Sequence, residues 1–361
     1  MKALLVGRGE PERGGIPTYL RTLMDGTLAS VVDLEFLNLA EGAQAQGGQI
    51  SASNISRTLR DVKRLSARAS DVDVAHIHSA LAPGATLVRA GALIAAARRR
   101  GAHVVLHAHG GLLVDWASSG SRRRLVRTML ARADIVVAVS TGLVQTLDRC
   151  GVRAPVVLLA NSVDVHAFAP PDEPSERTVP RILFVGNLTE RKGLLDLFDA
   201  SRILDDRGVI HEVVVVGGRP DEGGEAEAKV REAVPPNVTL VGARRPADMP
   251  AAYKDADIFC LPSWWEAAPL SVLEAMASRL PVVATRVGEV PFMVRNGVDG
   301  ILVEARQPAA LADALHELLK DDERRAVVAA SARARAVDQY SAERTTHDLV
   351  ELYSRARSTP R

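Results

Sequence analysis

Cysteine is nearly absent. The 361-residue chain holds two, Cys150 and Cys260, far apart and without metal-ligand spacing, which fits a reducing cytoplasm. Aromatic residues make up only 4%, too few to offer stacking platforms for nucleic-acid bases. No run of about 18 apolar residues occurs, so nothing reads as a membrane-spanning helix. The opening MKALLVGRGE has a short apolar run ending in glycine and charge. It reads as a first buried strand, because a signal peptide needs a longer apolar region and a small-residue cleavage site. Lysine is scarce, 6 against 39 arginines, so a lysine inside a motif stands out. Net charge is +1 but unevenly spread. Residues 1–170 carry 20 Lys+Arg against 13 Asp+Glu, and the remainder 25 against 31. The basic first half suits an anionic partner or peripheral contact with a membrane face, yet is too weakly basic for a nucleic-acid domain.

What is present is alternation. At this length two domains are the natural division. Short apolar strands at 2–7, 31–38, 74–78, 104–107, 135–139 and 156–159 alternate with helix patterns at 55–69, 84–100 and 121–133. A stretch rich in Pro, Asp, Glu and Ser over 163–179 reads as a linker. A second series follows, with strands at 182–185, 212–216, 238–241, 258–261, 281–284 and 300–303. Helices through residue 203 and at 223–234, 247–255 and 308–319 separate or follow them. Such alternation predicts parallel sheets covered on both faces, in two doubly wound α/β domains facing a cleft. The last helix pattern, from Ala342, is long enough to return to the first domain. Residues 40–54, rich in Gly, Gln and Ser, read as a mobile loop.

Several turns follow strands, where doubly wound sheets bind ligands. The loop Arg8–Gly15 joins a strand to a helix in the phosphate-cradling manner, but lacks the GxGxxG spacing of a dinucleotide site. His107-Ala108-His109-Gly110-Gly111 ends a strand and offers an acceptor-side site, with His107 read more readily as a packed strand residue than His109. Zinc at these histidines needs cysteines or carboxylates at ligand spacing, which are absent. The pairs Asp71-x-Asp73 and Asp255-x-Asp257 lie at strand entries and are not read as metal ligands. Arg191 and Lys192, past another strand end, form a cationic clamp for a diphosphate, whose leaving-group charge fixed cations stabilise without a divalent metal. Glu266 and Glu274 flank the uncharged run 267–271 ahead of a helix start, whose N–H groups and dipole favour an anion. Glu266 suits sugar hydroxyls and Glu274 a ribose diol. The basic helix 121–133, with Arg122, Arg123 and Arg124, reads as a solvated face over a core stripe, or as a surface for anionic lipid.

Pro262-Ser263-x-x-Glu266-x-x-Pro269-x-x-x-Leu273-Glu274-Ala275-Met276-Ala277, with Gly186-Asn187-Leu188 and Lys192-Gly193 upstream, resembles the E-x7-E signature of retaining GT-B glycosyltransferases of family 4. Gly14-Gly15, Ala133-Asp134 and Asn161-Ser162-Val163-Asp164 extend the likeness over most of the chain. The resemblance implies an acceptor-binding Rossmann-like domain over 1–168 and a nucleotide-sugar-binding one over 176–341, with helix 342–361 packing on the first. It implies catalytic roles for Lys192, Arg191, Glu266 and His109, the last beside the sugar. Donor contacts fall to Gly15, Asn187, Leu270, Ser271, Val272 and Glu274. No metal or cofactor is required, and the donor is a nucleotide-diphosphate sugar. The acceptor is a glycan, a lipid-linked or a small-molecule hydroxyl, in bacterial surface-polysaccharide or secondary-metabolite synthesis. Nucleic acid is not a partner. The expected location is the cytoplasm, with at most peripheral contact at the inner membrane face. Two positions depart from the pattern. Asn187 stands where the family often has arginine, so the second cation moves to Arg191, and Glu289 and Phe292 replace the usual Gly and Glu. Competing readings are a nucleotide-sugar epimerase or phosphorylase of the same fold, and a non-catalytic nucleotide-sugar-binding partner.

Overall fold

A computed structural model describes residues 1–12, 14–40, 52–171, 177–218 and 225–358. The chain divides into two compact units, Met1–Ser162 with Ala342–Arg361, and Val163–Ser341. In the first, six strands lie in the order β2-β1-β3-β4-β5-β6. They are β1 Lys2–Gly7, β2 Asp33–Asn38, β3 Val74–Ser79, β4 His103–Ala108, β5 Ile135–Ala138 and β6 Val156–Leu158, all paired in parallel. In the second, the order is β12-β11-β10-β7-β8-β9. Its strands are β7 Arg181–Val185, β8 Glu212–Val216, β9 Val238–Gly242, β10 Ile258–Leu261, β11 Val282–Thr285 and β12 Gly300–Val303, again parallel. Both sheets are therefore the doubly wound kind expected from the alternation.

Burial on both faces explains the continuous apolar strands. Along β1, Leu4 and Val6 join one core with Ile77 and Leu106, while Ala3 and Leu5 join another with Tyr19, Leu352 and Tyr353. The helix Ala342–Ser358 thus closes the second face of the first sheet. Its Thr346 hydroxyl meets that of Thr27 at 2.8 Å.

Three carboxylates at strand entries hold neighbouring strand starts. Asp73 accepts from the backbone N–H of Lys2 at 2.9 Å, Asp134 from that of Val104 at 2.7 Å, and Asp257 from that of Arg181 at 2.8 Å. These three aspartates thus fix sheet register.

Some boundaries differ from expectation. Residues 163–168 belong to the second unit: the Val163 N–H donates to the carbonyl of Tyr340, and Arg333 donates to those of Val165 and Phe168. The strand expected from residue 31 starts at Asp33, after a helical turn Leu28–Val31. A helix Thr141–Arg149 was not anticipated, although Ser140 caps it by accepting from the N–H of Leu143. The loop expected at 40–54 falls mostly at 41–51, outside the described residues, and 52–54 already belong to the helix Ala52–Arg68. Residues 172–176 of the expected linker and 219–224 also lie outside them. Among the described residues no helix is long and apolar enough to cross a membrane.

Candidate functional site

In the second sheet the order of growth reverses at β7, whose two neighbours are β8 and β10. Ligands of open α/β sheets sit at the carboxyl ends beside such a reversal. The segments leaving β7 and β10 there are Gly186–Gly193 and Pro262–Pro269. They carry the residues that meet: Lys192 Nζ lies 2.5 Å from Glu266 Oε1. The approach is built by backbone. Glu190–Lys192 make one 3-10 turn closed by Gly193 at φ 65°, and the N–H of Trp264 donates to the carbonyl of Arg191 at 2.8 Å. A Cβ on Gly193 would collide with the carbonyl of Pro262. Gly193→Ala is thus expected to cost about 2–4 kcal/mol, from left-handed strain plus forced separation of the two segments. Urea unfolding checks it, and an unchanged midpoint would count against this packing.

Glu266 is held on its other side as well. The Ser263 hydroxyl donates to Glu266 Oε1 at 2.7 Å, and the Thr285 hydroxyl donates to the carbonyl of Ser263. Lys192 carries three N–H donors, so one ammonium can serve Glu266 and an incoming anion together. The helix Leu270–Ala277 starts four residues on, with no side-chain cap and no acidic residue in its first turn. The N–H groups of Leu270, Ser271 and Val272 have no acceptor within the helix, and they form its positive end. Cation, uncapped helix start and carboxylate together make a pocket chemistry for phosphate plus hydroxyls.

The other expected donor residues are placed less directly. Glu274 is buried and accepts from the Tyr253 hydroxyl at 2.6 Å. Burial, then the Glu274 charge, pushes the Tyr253 phenol well up, so it stays a donor. Arg191 does not join Lys192. Its guanidinium lies over the Trp265 ring, 5.6 Å from the centroid. Trp264 is pinned by its indole N–H to Asp196 at 2.6 Å, with Arg306 stacked on it at 4.3 Å. Asn187 lies in the same turn, its carbonyl accepting from the N–H of Thr189.

In the first unit, Gly15 opens the helix Gly15–Asp25 after Gly14 at φ 129°, and no atom lies within 4 Å of a Cβ built on either. His109 follows β4. Its Nε2 lies 2.9 Å from His78 Nδ1, and burial pushes its pKa down to about 3. His107 is fully buried, the packed alternative, and touches His76 at 3.2 Å. The structure therefore brings Lys192, Glu266 and the Leu270 helix start together in one unit, and His109 onto a histidine cluster in the other.

Residues 14–167 match the family model described as Glycosyltransferase Family 4, and residues 179–321 the model described as Glycosyl transferases group 1. The chain belongs to glycosyltransferase family 4. Relatives of this family 4 chain include the D-inositol 3-phosphate glycosyltransferase of Corynebacterium urealyticum, 31% identical over 258 residues, covering 66% of this chain and 61% of that one. The protein of the same name in Xylanimonas cellulosilytica is 36% identical over 230 residues, 58% of this chain and 52% of that one. The chain thus spans about three fifths of the first relative's length. Similar solved structures include sucrose-phosphate synthase from Thermosynechococcus elongatus, with TM-score 0.79, 21% identity and 98% of both chains covered. Another is Anabaena HepE in complex with UDP, with TM-score 0.77, 19% identity, and 98% of this chain and 100% of that one covered. At these identities the likeness is one of fold, and the fold is GT-B.

In this family 4 chain the sequence gives no role to Tyr253, or to the motif residues Ser263 and Thr285, which hold the two glutamates. Nor does it single out His76 and His78. A signal existed: H-x-H ends two successive strands, and strand periodicity puts both pairs on one face if those strands pair. The register does pair them, His78 opposite His107.

Proposed function

We propose that the protein is a retaining glycosyltransferase that moves a hexose-type sugar from a nucleotide-diphosphate donor to an acceptor hydroxyl, with no divalent metal required. The observation that carries this reading is the contact of Lys192 with Glu266 at the reversal point of the second sheet, beside the uncapped start of the Leu270 helix. Charge grows on the leaving diphosphate as the sugar departs. A fixed ammonium and aligned N–H groups stabilise that charge more than the ground state, which lowers the barrier. Glu266 then binds sugar hydroxyls and Glu274 the ribose, as ligand-holding carboxylates rather than acid and nucleophile. In the same reading Gly15 offers its N–H to the diphosphate and His109 contacts the sugar. With a folded-state pKa near 3, His109 is neutral at pH 7 and acts as a hydrogen-bonding group.

A uridine nucleotide is the first donor to try, since a protein of the same fold was solved with UDP. Inositol phosphate is the first acceptor, from the names of the relatives. A thermal-shift screen of UDP-, GDP-, ADP- and TDP-sugars tests donor binding. A ligand at 100 times its dissociation constant should add about 2.7 kcal/mol of stability. Product analysis with a bound donor then tests transfer with retention of the anomeric configuration. An inverted product, or conversion of donor with no acceptor present, would overturn the reading.

A further inference from the structure

Four histidines stand together on one face of the first sheet, behind the surface that His109 presents. His76 and His78 come from β3, His107 from β4 and His109 from the residue after it. Their rings lie close, with His107 and His109 stacked at 4.3 Å and 14° between centroids and planes, and His76 and His78 at 4.2 Å but tilted by 38°. Hydrogen bonds use part of their capacity. His76 Nδ1 meets the Tyr353 hydroxyl at 2.7 Å, His76 Nε2 meets His107 Nδ1 at 3.2 Å, and His78 Nδ1 meets His109 Nε2 at 2.9 Å. Three polar atoms remain buried without a hydrogen-bond partner among the described residues: His78 Nε2, His107 Nε2 and the hydroxyl of Tyr19. The Tyr19 ring packs edge-on against His107 and His109, 5.1 and 5.2 Å between centroids. Unmet polar groups in a core are costly, and three in one cluster mark a place where a guest gains contacts.

We propose that His76, His78 and His107 bind one late first-row divalent metal ion of the zinc class, with the Tyr19 hydroxyl as fourth donor. One ring nitrogen from each of the three histidines lies within 4.8 Å of the others. A tetrahedral ion with Zn–N bonds of about 2.0–2.1 Å sets its nitrogens roughly 3.4 Å apart. His76 Nε2 and His107 Nδ1 already stand at 3.2 Å, so His78 and Tyr19 have to close on them by side-chain rotation. Imidazole suits this class of ion, while magnesium and calcium take oxygen ligands. On binding, the proton now shared by His76 and His107 passes to the other nitrogen of the ring that carries it, so both rings coordinate as neutral imidazoles. A second histidine pair, 31 residues upstream in sequence and one strand away in space, thus takes the place of the cysteines or carboxylates absent at ligand spacing. The ion would pin β3, β4 and the helix carrying Tyr19, and through His78 and His107 fix the ring of His109.

Metal retention is read without any transferase assay, so this site and the proposed activity stand or fall separately. The untagged full chain is stripped with a chelator, loaded with Zn(II), desalted and analysed for metal, with Co(II) as an absorbing probe. About one ion per chain should be retained, and Co(II) should show the intense visible bands of tetrahedral coordination. The double substitution His76→Gln and His78→Gln should abolish both, and His347→Ala, at an 82% exposed side chain, should keep them. Wild-type retention below roughly 0.1 ion per chain, or equal retention in the double variant, overturns the site. In the first case buried water serves the three atoms. Should the double variant not fold, imidazole 15N resonances of the wild type decide. Shifts at His76, His78 and His107 on adding Zn(II) uphold the site, and unmoved resonances overturn it.

Discussion

Lys192→Ala is expected to lower turnover of a nucleotide sugar by a factor of about 10²–10³, the effect of removing one preorganised group from a developing charge. It should also destabilise the fold. The side chains of Lys192 and Glu266 are 12% and 7% exposed, and taking one partner from a buried ion pair leaves the other uncompensated, at about 3–5 kcal/mol. Loss of activity in the single variant therefore has two causes, which a second variant separates. Lys192→Met combined with Glu266→Gln removes both charges and keeps the volume, so most of the stability should return. Transfer should stay as low as in Lys192→Ala, because the diphosphate still meets no cation. Urea midpoints and initial rates on the three proteins decide the matter. Transfer at the wild-type rate in the stable double variant would end the assignment of Lys192 to the leaving diphosphate.

Acid should unfold the metal-free first unit well above the usual carboxylate range. Burial pushes His76 and His109 from 6.5 down to about 3, and His78 and His107 well below 6.5. The groups packed on them are Tyr19, Tyr353 and one another, with no ion-paired carboxylate among the described residues to favour imidazolium. Folded, these rings stay neutral. Unfolded, they take up protons as the pH falls through about 6.5. The unfolded state then binds more protons, so stability falls with falling pH from there towards 3. One histidine kept neutral in the folded state contributes about 1.4 kcal/mol per pH unit below about 6.5, against a typical total of about 5–15 kcal/mol, and the four act in the same direction. Urea midpoints in chelator at pH 7.5, 6 and 5, read from Trp116 fluorescence, test this. The tryptophan must be followed in a variant with Trp264 and Trp265 replaced by phenylalanine, since both report on the other unit. A midpoint unchanged between pH 7.5 and 5 would contradict neutral burial of the cluster.

Much of this was legible beforehand. Apolar strands with glycine-rich turns announced the alternation, and each of the twelve strands was anticipated within a few residues of its observed bounds. The Thr141–Arg149 helix was not, because its apolar stripe is short and its cap is a single serine. Residues 163–168 read as the start of a linker by composition and as the end of the first domain by the family resemblance. Their unit is settled by hydrogen bonds to Tyr340 and Arg333, residues some 170 positions away in sequence.

The sequence by itself determined the class of fold and named Lys192, Glu266 and the Leu270 helix start, because motif residues lie at fixed offsets from strand ends and those offsets are local. Only the tertiary structure decided which of them meet. Strand order is non-local: it puts β10 next to β7, and so Glu266 against a lysine 74 residues earlier, while Arg191 turns to Trp265 instead. It likewise puts β3 beside β4 and gathers four histidines that the sequence shows as two separate pairs. Contacts of that kind arise from which hydrophobic faces the sheets bury together, and no local pattern records them.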